Sequence, residues 1–284
     1  MDPVIAATLD RPVPPEIGAM ADHVRQQHGD VKAVLAYGSC LRGVATTESL
    51  IDLYVLTGSY EGVSSNVFSR WGCRLVPPNV YYAECDFAGL RYRAKYAVLP
   101  LTAFARRMTA ANPYFWARFS QPAALVFSAD AMSRKAVISA LARAARTMYA
   151  HALALPHEDS GTSGVWIAGF RATYATELRA EAGGSRAAHV VEANATYYKD
   201  LARILHSTAP EPANWRWKRI AGKLWAAARL IKASFTFTGG ADYIVWKIER
   251  HSGQKIVLTG WQRRHPVIAG LMLLPQLIRR GAVR

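Results

Sequence analysis

A glycine, a serine and an aspartate in the first quarter of the chain have the residue types and spacing to hold a triphosphate and its magnesium ion. Gly38 and Ser39 follow the apolar run Val31–Tyr37, and Asp52 lies in the next apolar run, Leu50–Leu56. Glycine lets the backbone approach a phosphate group, serine and backbone N–H groups donate to its oxygens, and a carboxylate binds Mg²⁺. We therefore predict a phosphate-binding loop at the end of one strand, facing a metal ligand on the next.

A second set of charged residues lies on a predicted β-hairpin formed by residues 80–87 and 90–98. The two-residue period of a strand puts Glu84 and Asp86 on one face of the first arm, and Lys95 on one face of the second. A loop with an even number of residues aligns these faces. Glu84 or Asp86 then supplies a further metal ligand and Lys95 a cation for the triphosphate. The alternative is a solvent-exposed hairpin with cross-strand ion pairs, each worth at most about 1 kcal/mol.

The elements around these residues predict an α+β fold. Residues 14–28, 61–70 and 100–108 are expected to be helices, because proline or apolar residues at helical spacing begin or line each of them. A strand at 123–127 and a long helix at 128–153, capped by Ser128 or Asp130, follow. We divide the chain into a mixed-sheet domain (1–127), a helical domain (128–209) and a basic, membrane-facing helical region (210–284).

A Gly-Ser pair at a strand end, followed by an acidic residue on the next strand, is the arrangement that nucleotidyltransferase-fold enzymes use. Residues 1–127 are therefore interpreted as a nucleotidyltransferase-like catalytic domain. The usual motif has two acidic residues flanking one apolar residue, whereas this chain has Asp52-Leu53-Tyr54. The other interpretation is an ordinary strand-loop-strand unit with a serine helix cap and a surface aspartate.

Three segments, in the same order along the chain, resemble the mitochondrial-type phosphatidate cytidylyltransferases, also known as the mitochondrial translocator assembly and maintenance protein family. The family has a Tyr-Gly-Ser-Gly motif followed by a single Asp in an apolar strand, then Lys-Tyr-Gly-Val, then Tyr-x-Gly-Asp-x-Arg. The matching segments are AYGSC with LIDLYV, KYAV beginning at Lys95, and YATELR ending at Arg179. The chain looks like a bacterial homologue over about residues 31–205.

The resemblance implies a Mg²⁺-dependent enzyme that transfers a cytidylyl group from CTP to phosphatidic acid, giving CDP-diacylglycerol and pyrophosphate. The catalytic residues that it implies, together with the motif, are Asp52, Lys95, Glu177 and Arg179. The implied nucleotide contacts are Tyr37, Gly38, Ser39, Lys95 and Tyr174. Cys40 and Ala97 stand where the family has glycine, and Glu177 where it has aspartate. Without the resemblance, Tyr174, Glu177 and Arg179 are ordinary residues on a helix surface.

The chain is strongly basic, with a formal net charge of +15, and must attract an anionic partner. Beyond Pro210 there are 14 lysines and arginines against three acidic residues. Residues 214–237 interleave tryptophans, aliphatic residues and cations, a composition typical of helices at an anionic membrane surface. The apolar run 267–278 is shorter than the roughly 20 residues of a spanning helix, so it lies in the interface or packs on the core.

Competing functions remain open at this point. A nucleic-acid-binding protein, or an RNA nucleotidyltransferase, would also use basic residues and tryptophans. A small-molecule nucleotidyltransferase of the antibiotic-modifying kind would explain the core but not the tail. We favour the lipid enzyme, with no nucleic-acid partner, because nucleic acid has no use for the aliphatic runs. The absence of a signal-peptide pattern and of paired cysteines predicts a cytoplasmic protein, with reduced thiols, bound peripherally to the inner face of the cell membrane.

Overall fold

A mixed β-sheet forms the centre of the fold, as expected for the α+β class. The computed structural model describes residues 1–41, 50–157, 162–177, 183–236 and 259–261. Within this part, the strands are β1 (Val31–Tyr37), β2 (Leu50–Thr57), β3 (Asn79–Phe87), β4 (Leu90–Pro100) and β5 (Ala123–Ser128). The helices are α1 (Asp2–Leu9), α2 (Pro15–Arg25), α3 (Val67–Leu75), α4 (Leu101–Arg106), α5 (Tyr114–Phe119), α6 (Ala131–Leu153), α7 (Thr162–Tyr174), α8 (Gly183–Glu192), α9 (Ala195–Ile204) and α10 (Trp215–Thr236).

The strands lie in the order β3-β4-β2-β1-β5. β2 and β4 are parallel, and the other neighbouring pairs are antiparallel. The predicted hairpin is confirmed: β3 and β4 are joined by Ala88 and Gly89, both with positive φ, as a two-residue turn between twisted strands requires. This order places the carboxylate-bearing β2 between the strand that precedes the Gly-Ser turn and the second arm of the hairpin.

Helices cover both faces of the sheet. On one face, α2 buries Met20 and Val24, and the hydroxyl of Tyr96 on β4 donates to Oε1 of Gln27 at 2.8 Å. On the other face, Tyr54 of β2 packs its ring against Phe119 of α5, with centroids 4.8 Å apart. Asp52, two residues before Tyr54 on β2, therefore lies on the face that α5 covers.

The structure corrects the boundaries of several predicted helices. The helix expected at 61–70 forms instead as α3, because the side chain of Asn66 accepts a hydrogen bond from the backbone N–H of Ser69 and caps the helix there. The long helix begins at Ala131, after the Asp130 cap rather than at Ser128. Helix α5 was not predicted at all.

The helical part of the chain shares a hydrophobic core with the sheet. α6 packs against α1, α4, α5 and β5, and a single cluster of buried residues extends from Ile5 to Leu205. The boundaries at 127 and 209 stay predictions. Cys40, Cys73 and Cys85 are free thiols, as expected. In the described part of the chain, no helix is long and apolar enough to cross a membrane.

Candidate functional site

The Gly-Ser turn and the strand aspartate lie next to each other. β1 ends at Tyr37, and Gly38 has a φ of 83°, which a residue with a side chain adopts only with strain. A Cβ atom placed on Gly38 would lie 3.5 Å from Oδ2 of Asp52, so the carboxylate is beside this glycine. Ser39 follows in a short 3₁₀ turn and is exposed. The predicted phosphate loop and carboxylate thus meet at the end of β1.

Lys95 lies opposite Asp52 on the neighbouring strand. In the parallel register of β2 and β4, Asp52 is paired with Lys95, and in the antiparallel register of β3 and β4, Lys95 is paired with Tyr82. Residues paired in this way point to the same face of the sheet. Asp52 is half-buried and Lys95 is exposed. The structure therefore brings the predicted carboxylate and the predicted cation together on an accessible face of the sheet.

The hairpin carboxylates are engaged by arginines. Arg91 donates from Nε and Nη2 to the two carboxylate oxygens of Asp86, at 2.9 and 3.0 Å, and Arg93 donates from Nε to Glu84 at 3.2 Å. The hydrogen bond from Arg91 lowers the pKa of Asp86. Glu84 is on the same face of the sheet as Lys95, since its partner Arg93 lies two residues before Lys95 on β4. Glu84 and Asp86 are both exposed. This geometry is that of cross-strand ion pairs, and the metal-binding role of Glu84 and Asp86 stays a prediction.

The residues present fit a magnesium ion that is held partly by a substrate. In the described ranges, no group of three or more His, Cys, Asp or Glu side chains could hold a metal. Mg²⁺ is, however, commonly bound through one or two carboxylates together with substrate phosphates. Asp52 beside the Gly38 turn matches that second arrangement, because a triphosphate in the loop would bring its own oxygens.

Helix α5 adds an arginine and a tyrosine to the site, and sequence reasoning missed both. Arg118 lies above the ring of Tyr114, with Cζ 4.4 Å from its centroid, and its Nη1 donates to the hydroxyl of Tyr54 at 3.4 Å. Its Cζ is also 5.6 Å from the ring centroid of Tyr37, the residue before the glycine turn. A lone arginine within the aromatic segment 114–119 was the signal that could have identified it.

Helix α10, expected to face a membrane, also forms part of this site. Cζ of Arg229 lies 3.8 Å from the centroid of the Tyr114 ring. One turn later, Nζ of Lys232 donates to the carbonyl oxygens of Val76 and Pro78 and to Oδ1 of Asn79. These contacts hold α10 against the start of β3. One face of α10 therefore packs on the core, which the membrane-surface composition of residues 214–237 did not indicate.

Charges around Tyr114 change how it titrates. Burial raises the pKa of its phenol, but the positive charges of Arg118 and Arg229, a hydrogen bond with Tyr54 and the charge of Lys95 together outweigh burial and lower the pKa below its usual value. Burial and the negative charge of Asp52 raise the pKa of Tyr37. Positive charges thus act mainly on the phenol of Tyr114, whereas the negative charge of Asp52 acts on the phenol of Tyr37.

The third motif of the resemblance is only partly within the described residues. α7 ends at Tyr174, and Glu177 follows in a turn rather than on the helix surface expected from the sequence. Burial lowers the pKa of Arg229 and the charge of Glu177 opposes this shift, which puts Glu177 within electrostatic range of the site. Tyr174 is buried against Phe170. Arg179 and the apolar run 267–278 lie outside the described residues.

Comparisons with known proteins identify no family. No protein-family model and no curated protein matches the chain. Among solved structures, the chain is similar to a nucleotidyltransferase-like protein from Exiguobacterium sibiricum 255-15, with 12% sequence identity and a TM-score of 0.27, over 94% of this chain and 91% of that one. A similarity at this level carries no conclusion about activity, so the function is argued from the site itself.

Proposed function

We propose that this protein is a nucleotidyltransferase that moves a cytidylyl group from CTP to phosphatidic acid at a membrane surface. The observation that supports it best is the position of Asp52, which lies beside the left-handed Gly38 and opposite Lys95. A turn that lets the backbone approach a phosphate, a carboxylate and a cation, together on one accessible face of the sheet, are the groups that nucleotidyl transfer requires. The choice of CTP and phosphatidic acid rests on the family resemblance.

In the proposed reaction, an oxygen of the phosphatidate phosphate attacks the α-phosphorus of CTP. The new P–O bond forms as the bond to the β-phosphate oxygen breaks, and pyrophosphate leaves with that electron pair. The phosphatidate oxygen is already ionised near neutral pH, so the protein need not supply a strong base. Gly38 and Ser39 would hold the triphosphate through backbone and hydroxyl donors, and Lys95 would neutralise part of its charge.

Asp52, together with the triphosphate oxygens, would hold the magnesium ion. Bound there, Mg²⁺ would neutralise negative charge on the phosphates as pyrophosphate departs. Because Asp52 is half-buried next to Gly38, its carboxylate is close to the turn that would hold those phosphates. Asp52 is the carboxylate on which this proposal depends.

The outer face of α10 supports the membrane part of the proposal. Trp217 and Leu224 are 67% and 66% exposed, and Arg216 and Lys223 are exposed beside them. This combination suits an anionic bilayer, because the apolar side chains can enter the headgroup region while the cations stay near the phosphates. α3, on which Phe68 is 86% exposed, presents a further apolar surface that sequence reasoning missed.

Product analysis tests the proposed function. The purified protein is incubated with Mg²⁺ and each of the four nucleoside triphosphates in turn, with vesicles that contain phosphatidic acid or only phosphatidylcholine. Lipid products are then identified by mass spectrometry. We expect CDP-diacylglycerol to form only from CTP and only with phosphatidic acid. Addition of a nucleotide to RNA ends when RNA replaces the vesicles, without any lipid product in the vesicle incubations, would support the nucleic-acid alternative instead.

A further inference from the structure

Two arginines from distant parts of the sequence meet at the ring of Tyr114. Arg118 is on α5 and Arg229 is on α10, and both guanidinium groups stack on this ring, at 4.4 and 3.8 Å from its centroid. Lys95 on β4 is exposed and paired with Asp52 beside the Gly38 turn, and its charge contributes to lowering the pKa of the Tyr114 phenol. The two arginines and Lys95 therefore all belong to the candidate site.

No carboxylate of the described residues is paired with either of the two arginines. In that part of the chain, neither Arg118 nor Arg229 forms an ion pair with Asp or Glu. Glu177 acts on both only through its longer-range field. Arg118 also lowers the pKa of Arg229, because the two like charges repel. Holding half-buried cations close together costs stability unless an anion is bound between them.

We propose that Arg118, Arg229 and Lys95 form a binding site for a phosphate group with two or more negative charges. Guanidinium groups bind phosphate oxygens through paired N–H donors, and a lysine adds a point charge, so the set matches this ligand chemistry. Arg118 lies near Tyr37, and so directs the site toward the glycine turn. In this proposal, α10 contributes Arg229 to the substrate site in addition to its exposed face.

The inference rests on the proposed function in one respect, because the ligand is taken to be a phosphate of a substrate. Two sources have this chemistry: the triphosphate of the nucleotide, and the phosphate monoester of the lipid acceptor. Inorganic pyrophosphate is a soluble probe for the first, and glycerol 3-phosphate for the second. Binding of either probe needs no chemical step, so it can be measured even if no nucleotidyl transfer occurs.

Calorimetric titration of the full-length protein with each probe tests the site. Arg229→Gln is expected to weaken binding of at least one probe by about 10- to 100-fold, because it removes a charged hydrogen-bond donor. Arg229→Lys should retain part of the affinity. Arg216→Gln, an exposed arginine on the same helix, is the matched control and should bind like the wild type. Circular dichroism and thermal melting verify that each variant folds.

The probe that is affected identifies the source. Weaker binding of pyrophosphate alone assigns the site to the nucleotide, and weaker binding of glycerol 3-phosphate alone assigns it to the lipid acceptor. Weaker binding of both places the two phosphates in one shared site. The proposal is wrong if wild-type protein binds neither probe at millimolar concentration, or if Arg229→Gln and Arg216→Gln bind equally well. Absence of transfer activity together with Arg229-dependent binding would overturn the proposed function and leave this site standing.

Discussion

Two groups of charged residues lie on the same face of the sheet, and they differ in how their charges are balanced. At the hairpin, Glu84 and Asp86 are matched by Arg93 and Arg91 in exposed ion pairs. At the candidate site beside Gly38, the cations of the described residues outnumber the nearby carboxylates, and two of them stack on the ring of Tyr114. Balanced, exposed pairs contribute little stability and leave little charge for a ligand. A substrate that carries phosphate would gain most binding free energy at the candidate site, where positive charge is in excess.

The largest difference between the two groups is expected for their aspartates. Asp52→Asn is nearly isosteric and should preserve the fold, but it should reduce cytidylyl transfer about 100-fold or more, because the metal-binding carboxylate is lost. Asp86→Asn should change the rate by only a few-fold, because Asp86 is exposed and paired with Arg91. Initial rates with saturating CTP measure both. Similar losses in the two variants would place the hairpin in the site and make Asp86 a metal ligand, as the sequence suggested.

Anchoring of α10 should have the next largest effect. Lys232→Met removes the Nζ donor shared by Val76, Pro78 and Asn79, and is expected to cost about 1 to 3 kcal/mol of unfolding free energy. Lys223→Met, on the exposed side of the same helix, should change stability by less than about 0.5 kcal/mol. Urea unfolding of both variants gives the two values. Equal stability would mean that α10 is not held to the sheet through Lys232.

The pKa of Lys232 also bears on that anchor. Burial lowers it to about 8. A lysine whose pKa is lowered on folding makes stability rise with pH between the folded and unfolded values. Measurements of the Lys232→Met variant should therefore show a smaller rise in stability between pH 8 and 10 than the wild type shows.

Tyr114 should also make the stability of the fold rise with pH, as Lys232 does, although its ionised form is an anion rather than a cation. Because its pKa is lowered in the folded state, its ionisation stabilises the fold as pH rises toward 10, and this contribution is lost as pH falls through the folded pKa. The stability difference between wild type and Tyr114→Phe should thus increase from pH 7 to pH 10, by about 1 kcal/mol or more. Thermal melts across this range measure it. A difference that is constant with pH would show that the cations do not act on this phenol.

The structure shows which parts of this comparison were readable from the sequence. The Gly38 turn, Asp52 and Lys95 were predicted because each lies in a short local pattern, and strand periodicity predicted the hairpin register. Arg118 and Arg229 were not predicted, because their meeting at Tyr114 depends on tertiary packing of α5 and α10, which are separated by residues 120–214. Periodicity marks Arg229 only as one cation among many in a basic helix. Glu84 and Asp86 were placed on the correct strand face, but their hydrogen bonds with Arg93 and Arg91 were not predicted.

The smallest expected effect concerns the outer face of α10. Replacing Trp217 with Ser should reduce co-sedimentation with phosphatidate-containing vesicles a few-fold at high salt, where charge attraction is screened and apolar burial remains. Met132→Ser, an exposed apolar residue on α6, is the control. Point substitutions are preferable to a chain ending near Pro210, since that truncation would also remove Arg229 and Lys232. Complete release of wild-type protein by moderate salt, with retention of RNA, would favour the nucleic-acid alternative.

Isotope exchange tests the central claim most directly, because nucleotidyl transfer to phosphatidate must also run in reverse. Wild-type protein is incubated with CDP-diacylglycerol, Mg²⁺ and labelled pyrophosphate, beside the Asp52→Asn and Asp86→Asn variants. The account predicts labelled CTP from the wild type and from Asp86→Asn, only when CDP-diacylglycerol is present, and at least about 100-fold less from Asp52→Asn. Absence of labelled CTP with the folded wild type, or equal labelling with Asp52→Asn, would contradict it.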